Sequence, residues 1–255
     1  MGKNSHISWT DNTFNPFWGC TKVSDGCKLC YAQTLANRWG FDIWGNDKSR
    51  RFFGEKHWQE PVTWNKQAIE KGITQTVFCG SMCDIFEDRD DLIFPRHRLW
   101  QLIAETSALT WLLLTKRPEY VRDHVPTDWL ADRFPENVWL GVTVENQNYL
   151  HRLEKISNLS VKRFVSVEPM LDYVDFGSYW WAVDWCIIGG ESGAGSRFMQ
   201  PLWALQLVNE CKARSVPVFV KQLGGFPDKQ DRIEEWPESL QIQQFPEWEQ
   251  KESKP

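Results

Sequence analysis

Three cysteines near the start of the chain have the spacing of a metal-cluster site. Cys20, Cys27 and Cys30 form a C-x6-C-x2-C pattern within eleven residues, in a polar stretch that also contains Gly19 and Gly26. Glycine accepts backbone conformations that other residues avoid, so the loop can turn tightly and bring three thiolates together. Three thiolate ligands leave one iron of a [4Fe–4S] cluster open to a small chelating molecule. The residues alone also allow a zinc site that adds a His or a fourth Cys to the three.

A second set of chemically active side chains stands where apolar runs of the sequence end. Glu145, Glu168 and Glu191 follow three such runs, and Lys116 and Lys221 follow two more. A single Glu at a strand end is commonly just solvated. Repetition at several runs favours a function, because burying a charge without a partner is costly. Barrel enzymes carry their chemistry at the C-terminal ends of the strands, so we expect these side chains to face the cysteine site.

Short strands alternating with helices must position these residues. Near-continuous apolar runs are typical of parallel strands that are buried on both faces. The predicted strands are Ile7–Trp9, Thr76–Cys79, Thr110–Leu114, Val138–Val144, Arg163–Val167, Trp185–Ile188 and Pro217–Val220. The predicted helices are Leu29–Trp39, Leu92–Thr106, Gln147–Ile156 and Leu202–Ala213. The alternation implies right-handed βαβ units and predicts an α/β fold: a full or partial (β/α) barrel of six or seven parallel strands, with an open doubly wound sheet as second choice.

The barrel is expected to occupy residues 1–225 as a single domain. Residues 40–65 are rich in Trp, Arg and Lys, have few apolar runs, and are interpreted as an insertion over one barrel end. Residues 226–255 contain Pro227, Pro237 and Pro246 and end in KESKP. This composition predicts a C-terminal tail that wraps the surface and whose last residues are disordered.

Composition argues against several classes of protein. In 255 residues, no apolar run approaches the roughly 20 that a membrane helix needs, and no secretory signal is recognisable. Seven cysteines, an odd number, favour metal or catalytic roles in the cytoplasm over disulfides. A net charge of −5 does not indicate a strongly basic nucleic-acid binder, although a few of the sixteen tryptophans could stack on bases.

The motifs resemble two overlapping protein groups. The pattern Cys27-Lys28-Leu29-Cys30 resembles the second half of the radical S-adenosylmethionine (SAM) motif, whose first spacing is usually three residues where this chain has six. The stretch ISWTDNTFNPFWGCTKVSDGCKLCYA resembles the phage Gp37/Gp68 family (DUF5131), as do TKRP, GVTVEN, SVEPML, IIGGESG and VKQLG. The resemblance implies a radical SAM-like enzyme that cleaves SAM reductively on a [4Fe–4S] cluster. It also implies an electron donor of the reductase or flavodoxin type.

The resemblance also suggests which residues bind SAM. Ser81 after the second main strand, and Glu145 and Glu168 after the fourth and fifth, take the positions that contact SAM in radical SAM barrels. A plain Gly-Gly-Glu is absent after the second strand; Gly-Gly-Glu instead ends with Glu191 after the sixth, which makes Glu191 a further candidate. Carboxylates suit these roles because they accept hydrogen bonds from an ammonium group and from ribose hydroxyls.

A basic group of residues predicts an anionic substrate. Lys116, Arg117, Arg197 and Lys221 fall near the same expected barrel mouth, beside the glycine-rich stretch GGESGAGS. We expect them to bind a nucleotide or nucleic acid. Cys83 is a candidate catalytic residue, because a thiol near a radical can donate a hydrogen atom.

Two other functions are compatible with the sequence. One is a zinc-stabilised binding module of phage or mobile elements, without catalysis. The other is a metal-free barrel hydrolase that uses Glu145, Glu168 and Glu191 as acid and base. Metal content separates the first from an iron–sulfur enzyme, and survival of activity without the three cysteines would indicate the second.

Overall fold

The computed structural model describes residues 5–193, 195–225 and 232–247. The strands in these ranges are β1 (Asn12–Phe14), β2 (Phe17–Trp18), β3 (Arg51–Phe52), β4 (Gln75–Cys79), β5 (Leu109–Thr115), β6 (Val138–Thr143), β7 (Lys162–Val167), β8 (Trp185–Gly189) and β9 (Val218–Gln222). The α-helices are α1 (Tyr31–Arg38), α2 (Glu55–Glu70), α3 (Ile93–Glu105), α4 (Val121–His124), α5 (Thr127–Ala131), α6 (His151–Ser157) and α7 (Pro201–Ala213).

Seven strands form one parallel sheet in the order β1-β4-β5-β6-β7-β8-β9. Each strand pairs in parallel with the next, and helices cross over between them. Because the order never reverses, the sheet has no switch point of the doubly wound kind. In the described residues β1 and β9 remain the two edges, so the sheet is a half-barrel. This confirms the predicted partial (β/α) barrel.

The first strand is where the sequence-based assignment is wrong. Ile7–Trp9 forms a turn, and the strand that begins the sheet is β1, three residues further along. β1 is short and polar at Asn12 and Thr13, so it has no apolar run to mark it. Its place beside β4 is fixed in part by Asp11, whose carboxylate accepts a 2.8 Å hydrogen bond from the Thr76 backbone N–H.

The stretch at 40–65 contains more regular structure than expected. The two-residue strand β3 pairs antiparallel with β2, and α2 begins at Glu55 and continues to Glu70. The helix buries Trp58, Trp64 and Ala68 and contacts β4 and β5. The second half of the stretch therefore belongs to the crossover from β1 to β4.

The pleat of the strands divides the core in two. The residues that point into the half-barrel form an aromatic-rich cluster: Trp9, Phe78, Leu112, Trp139, Phe164, Trp185, Ile187 and Phe219. Their neighbours in the strands point outward and pack under the helices in the larger core. Trp9 has its ring 4.6 Å from that of Phe78 and 6.2 Å from that of Trp185. Trp9 thus plugs the interior below the strand ends.

Residues 232–247 cover the edge of β9. The Val220 N–H donates to the Ile242 carbonyl and the Gln244 N–H to the Val218 carbonyl, each at 2.9 Å. Trp236 and Leu240 are buried in the main core. This part of the predicted tail therefore satisfies backbone groups that an edge strand would otherwise expose. Residues 226–231 and 248–255, including the end predicted to be disordered, lie outside the described residues.

None of the helices in the described ranges has the length and apolar character needed to cross a bilayer.

Replacing Trp9 with Ala should destabilise the protein by about 3–5 kcal/mol, because it empties a large, fully enclosed site. Chemical denaturation would measure the change in the free energy of unfolding. Phe94→Ala is the control, since Phe94 is 75% exposed and its loss should change stability by less than about 0.5 kcal/mol. Similar small losses in both variants would show that Trp9 does not plug the interior.

Candidate functional site

A cavity opens at the C-terminal ends of the sheet strands and has a volume of about 1080 Å³ when the solvent space at its mouth is included. It brings together most of the residues singled out in the sequence: Cys20, Cys27, Cys30, Ser81, Cys83, Lys116, Arg117, Glu168, Glu191 and Lys221. Glu145 and Arg197 do not line the cavity and instead contact the loop that carries the cysteines. That loop, residues 19–30, is called the cysteine loop below.

Cys20 is fixed by backbone bonds on both sides. The Gly19 N–H donates to the Met82 carbonyl, and the Gly45 N–H donates to the Cys20 carbonyl, both at 3.0 Å. Gly19 has a φ of +113°, which a side chain would strain, and an added Cβ would lie 2.5 Å from the Ile43 carbonyl oxygen. Glycine is therefore required where the chain enters the cysteine loop.

Arg117 holds the same end of the loop from below. Its guanidinium donates to the Cys20 Sγ at 3.5 Å and to the Thr21 carbonyl at 2.5 Å. It also donates to Asp84 at 3.1 Å. Arg117 is only 5% exposed. The structure thus places this predicted substrate-binding residue beneath the loop, as a clamp on a candidate metal ligand.

A second buried arginine completes this clamp. Arg50 forms a bidentate pair with Glu87 at 2.9 and 2.7 Å and donates to the Thr21 hydroxyl at 3.0 Å. Glu87 also lies 3.6 Å from Arg117. Two guanidinium groups and two carboxylates (Asp84 and Glu87) therefore surround the start of the cysteine loop with no net charge. Balanced, hydrogen-bonded charge is the form in which such groups tolerate burial.

Glu145 supports the middle of the loop. It is fully buried, accepts from the Ser24 hydroxyl at 2.5 Å and from Arg152 at 2.7 Å, and lies 3.6 Å from the Lys116 ammonium. An added Cβ on Gly26 would lie 2.5 Å from a Glu145 oxygen, so glycine is needed for this close approach. Since both carboxylate oxygens already have protein partners, Glu145 acts here as an anchor of the loop.

Glu191 anchors the loop through Arg197. The Arg197 guanidinium pairs with the Glu191 carboxylate and donates to the Asp25 carbonyl at 3.0 Å. The Asp25 N–H in turn donates to the Tyr149 hydroxyl at 3.0 Å. Arg197 therefore binds the cysteine loop, while the Glu191 side chain remains at the cavity wall.

Glu168 and Lys221 form a charged pair at the cavity wall. The Lys221 ammonium contacts the Glu168 carboxylate, and both side chains are about one-fifth exposed. This pair, unlike Glu145, keeps its polar atoms at the surface of the cavity. Glu168 is thus the best placed of the three predicted glutamates to meet a bound molecule.

The β4 end forms another wall. Asn15 donates to the Ser81 hydroxyl at 2.9 Å and accepts from the Met82 N–H at 2.7 Å. Cys83 lies 3.8 Å from the same Asn15 oxygen and is 9% exposed. Burial raises the pKa of the Cys83 thiol well above its ordinary value, so the thiol stays protonated at neutral pH.

Thr143 is a cavity residue that the sequence-based analysis did not single out. Its hydroxyl is buried at the cavity wall, and within the described part of the chain it has no hydrogen-bond partner. A buried hydroxyl without a partner is costly, which indicates that a bound molecule or water completes it. Thr143 could have been predicted from the sequence. It lies two residues before Glu145, so the two side chains are on the same, inward-facing side of the strand. The sequence also did not identify Asn15, Asp84, Glu87 and Arg50. Only Asp84 could have been recognised, because it lies in the polar stretch that follows β4.

Burial also raises the pKa of two of the candidate metal ligands. Desolvation raises the pKa of Cys20 to about 12, against the opposing effect of Arg117. Desolvation likewise raises the pKa of Cys30. Thiols of this kind bind metal with release of a proton.

The three thiols share the cavity but do not converge on one point. No group of three or more His, Cys, Asp or Glu side chains in the described ranges has the geometry to hold a single metal ion. A zinc ion would need its sulfurs roughly 3.8 Å apart, as tetrahedral bonds of about 2.3 Å require. An iron–sulfur cluster tolerates wider spacing, because each thiolate binds a different iron. In the described residues the three thiols share one cavity, and neither a zinc site nor a cluster site is formed there.

Comparison with solved structures supports the fold. A double-mutant spore photoproduct lyase with bound AdoMet (SAM) and dinucleoside spore photoproduct has a TM-score of 0.52 and 15% identity, over 92% of this chain and 72% of that one. A single-mutant form has a TM-score of 0.50 and 15% identity over 74% of this chain, which spans 58% of that protein's length. At this identity the likeness shows a shared half-barrel fold and no more.

Comparison with curated protein sequences finds no match. A family model described as "Protein of unknown function (DUF5131)" matches residues 4–251. Since the match covers nearly the whole sequence, the chain belongs to the DUF5131 family.

Proposed function

We propose that this protein is a radical SAM-type enzyme with a [4Fe–4S] cluster on Cys20, Cys27 and Cys30. The observation that carries the proposal is the placement of all three thiols on one cavity at the mouth of a half-barrel. All seven cysteines are free thiols, which suits the reducing cytoplasm where we place the protein. The likeness to phage Gp37/Gp68 proteins stays a prediction from the motifs.

The residues at the cavity fit this pair of cofactors. Three thiols without a fourth protein ligand would leave one iron for the amino and carboxylate groups of SAM. The Thr143 hydroxyl supplies a polar atom that lacks a partner in the described residues. Ser81 and Glu168 offer oxygens that can accept from the SAM ammonium and ribose hydroxyls. When bound and reduced by an external donor of the reductase or flavodoxin type, the cluster supplies the electron that cleaves SAM.

The remaining residues position and protect the reaction. Arg117, Arg50, Glu145 and Arg197 hold the cysteine loop against the strand ends. Lys221 orients Glu168 through their ion pair. Cys83 keeps its thiol hydrogen, which makes it able to donate a hydrogen atom to a carbon radical at the cavity. The protein thus contributes orientation and exclusion of water, while the cofactor contributes the difficult bond cleavage.

A nucleotide or nucleic acid is the proposed substrate class. Lys116 and Lys221 bring positive charge to the cavity wall. The spore photoproduct lyase structure with AdoMet and a dinucleoside agrees with this class without establishing it. The hydrolase alternative gains no support, because Glu145, Glu168 and Glu191 each contact a cationic side chain.

Single Ala substitutions of Cys20, Cys27 or Cys30 should abolish cluster loading, because two thiolates cannot hold the cluster at the cavity. Anaerobic reconstitution would be followed by iron and sulfide analysis, by absorbance at about 400 nm, and by the formation of 5′-deoxyadenosine from SAM. Cys211→Ala, at a buried thiol in α7, is the matched control and should retain all three signals. Retention of the absorbance by the loop variants, or zinc without iron in the wild type, would contradict the proposal.

Gly26→Ala should also reduce cluster loading, although it removes no ligand. The new methyl group would overlap Glu145 and push the loop away, at a cost of about 1–3 kcal/mol in the free energy of unfolding. Gly54→Ala is the control, since an added Cβ there meets nothing within 4 Å. Iron content and the midpoint of thermal unfolding would be compared. Equal iron content in the two variants would show that the contact between Gly26 and Glu145 does not shape the loop.

A further inference from the structure

A group of aromatic residues lies beside the cysteine loop, on β2 and in the segments that follow α1 and β3. The rings of Trp18 and Trp39 stack with their centroids 5.3 Å apart and their planes 21° apart. Trp18 also contacts Phe41 and Phe53 edge-on, at 6.1 and 5.4 Å. We call Trp18, Trp39, Phe41 and Phe53 the aromatic platform. Trp39 is 46% exposed although Trp18 stacks on it, so much of the Trp39 ring faces solvent.

Arg51 brings a positive charge into this platform. Its guanidinium carbon lies 4.7 Å from the ring centroid of Trp18, 4.2 Å from that of Phe41 and 5.0 Å from that of Phe53. Cation–π contacts with three rings fix the arginine and the rings in one arrangement. The platform therefore presents the exposed Trp39 ring, backed by three partly buried rings and a fixed cation.

Helix α1 connects the platform with the cavity. Tyr31 and Leu35 lie on α1, and Trp39 is the residue that caps its C-terminal end; their spacing of four residues places them along one side of the helix. Tyr31 lines the cavity, is 45% exposed, and donates to the Ser81 carbonyl at 2.8 Å. Eight residues of helix separate it from Trp39, which is about 12 Å along the axis.

We propose that the aromatic platform and the Tyr31–Trp39 face of α1 bind single-stranded nucleic acid and lead it to the cavity. Exposed aromatic rings next to arginine are what single-strand binding proteins offer, because unpaired bases stack on the rings and the cation meets the phosphates. At about 3.4 Å per stacked nucleotide, 12 Å accommodates about three to four nucleotides. This inference narrows the proposed substrate class to single-stranded nucleic acid. It rests on the proposed function only for the reaction that would follow binding.

The charge of the chain favours a single strand over a duplex. A net charge of −5 gives no general attraction to phosphates, and duplex binding without base contacts depends on such attraction. Stacking on a tryptophan does not need a basic protein, but it needs bases whose faces are free. A duplex keeps those faces covered by neighbouring base pairs.

The binding test uses the full-length protein and labelled oligonucleotides of about 12 nucleotides. Fluorescence anisotropy would compare single-stranded DNA, single-stranded RNA and a duplex of the same sequence. Single strands should bind more tightly than the duplex, and the DNA and RNA arms identify which polymer is preferred. Trp39→Ala should weaken single-strand binding about 5- to 150-fold, because a base stacked on an aromatic ring contributes about 1–3 kcal/mol.

Two further variants test the role of the platform. Trp39→Phe keeps a ring and should restore part of the binding, which a general folding defect would not allow. Arg51→Gln should weaken binding and lower its dependence on salt. Trp181→Ala is the matched control: Trp181 is 60% exposed and also has an arginine over its ring, Arg163 at 5.4 Å, but it precedes β8 and lies outside the platform. This control should bind like the wild type.

Several results would overturn the proposal. These are wild-type protein that binds no single strand, tighter binding of the duplex, or equal binding by Trp39→Ala and the wild type; a protein partner would then be the better occupant. Cys20→Ala separates this inference from the proposed function, because binding at the platform needs no cluster. Platform-dependent binding without any SAM cleavage would contradict only the enzyme, and SAM cleavage without binding would contradict only the platform.

Discussion

The candidate site depends on a buried, charge-balanced clamp around the cysteine loop. Arg117 and Arg50 contact the backbone or side chain of Thr21, and Asp84 and Glu87 hold the two arginines. Taking four charges out of water is expensive, and it is tolerable because each group has an oppositely charged, hydrogen-bonded partner. Losing any one member would leave another charge buried without compensation. The loop that carries the three thiols is therefore held by interactions that tolerate little change.

The half-barrel explains why much of the site was predictable. Most of its strands contain apolar runs, and parallel strands place their C-terminal ends at one edge of the sheet. The residues at these ends also share the inward side of the pleat: Glu168 is two residues after Ser166, and Lys221 is two after Phe219. Side chains alternate between the two faces of a strand, and all strands run in one direction. These two facts together bring Glu168, Glu191 and Lys221 to the cavity with the cysteines.

What the sequence could not provide is the partner of each charged residue. Glu145 and Arg197 end up under the loop because Ser24 and Asp25, more than 100 residues away in the chain, happen to lie there. From the sequence, Arg117 was predicted to bind substrate. Its contact with Cys20, which the sequence does not show, places it beneath the cysteine loop instead. Such pairings are set by the tertiary fold, and no local pattern encodes them. β1 was not predicted for a different reason: its polar residues become buried only when the strand pairs with β4.

The two edges of the sheet differ in a way that bears on access. β9 is covered by the segment around Ile242, and in the described residues β1 does not close against it. A closed ring of strands admits a long polymer only through its opening, end first or as a loop. In a half-barrel the two edge strands are not hydrogen-bonded to each other, so the strands themselves do not require a long molecule to enter end first.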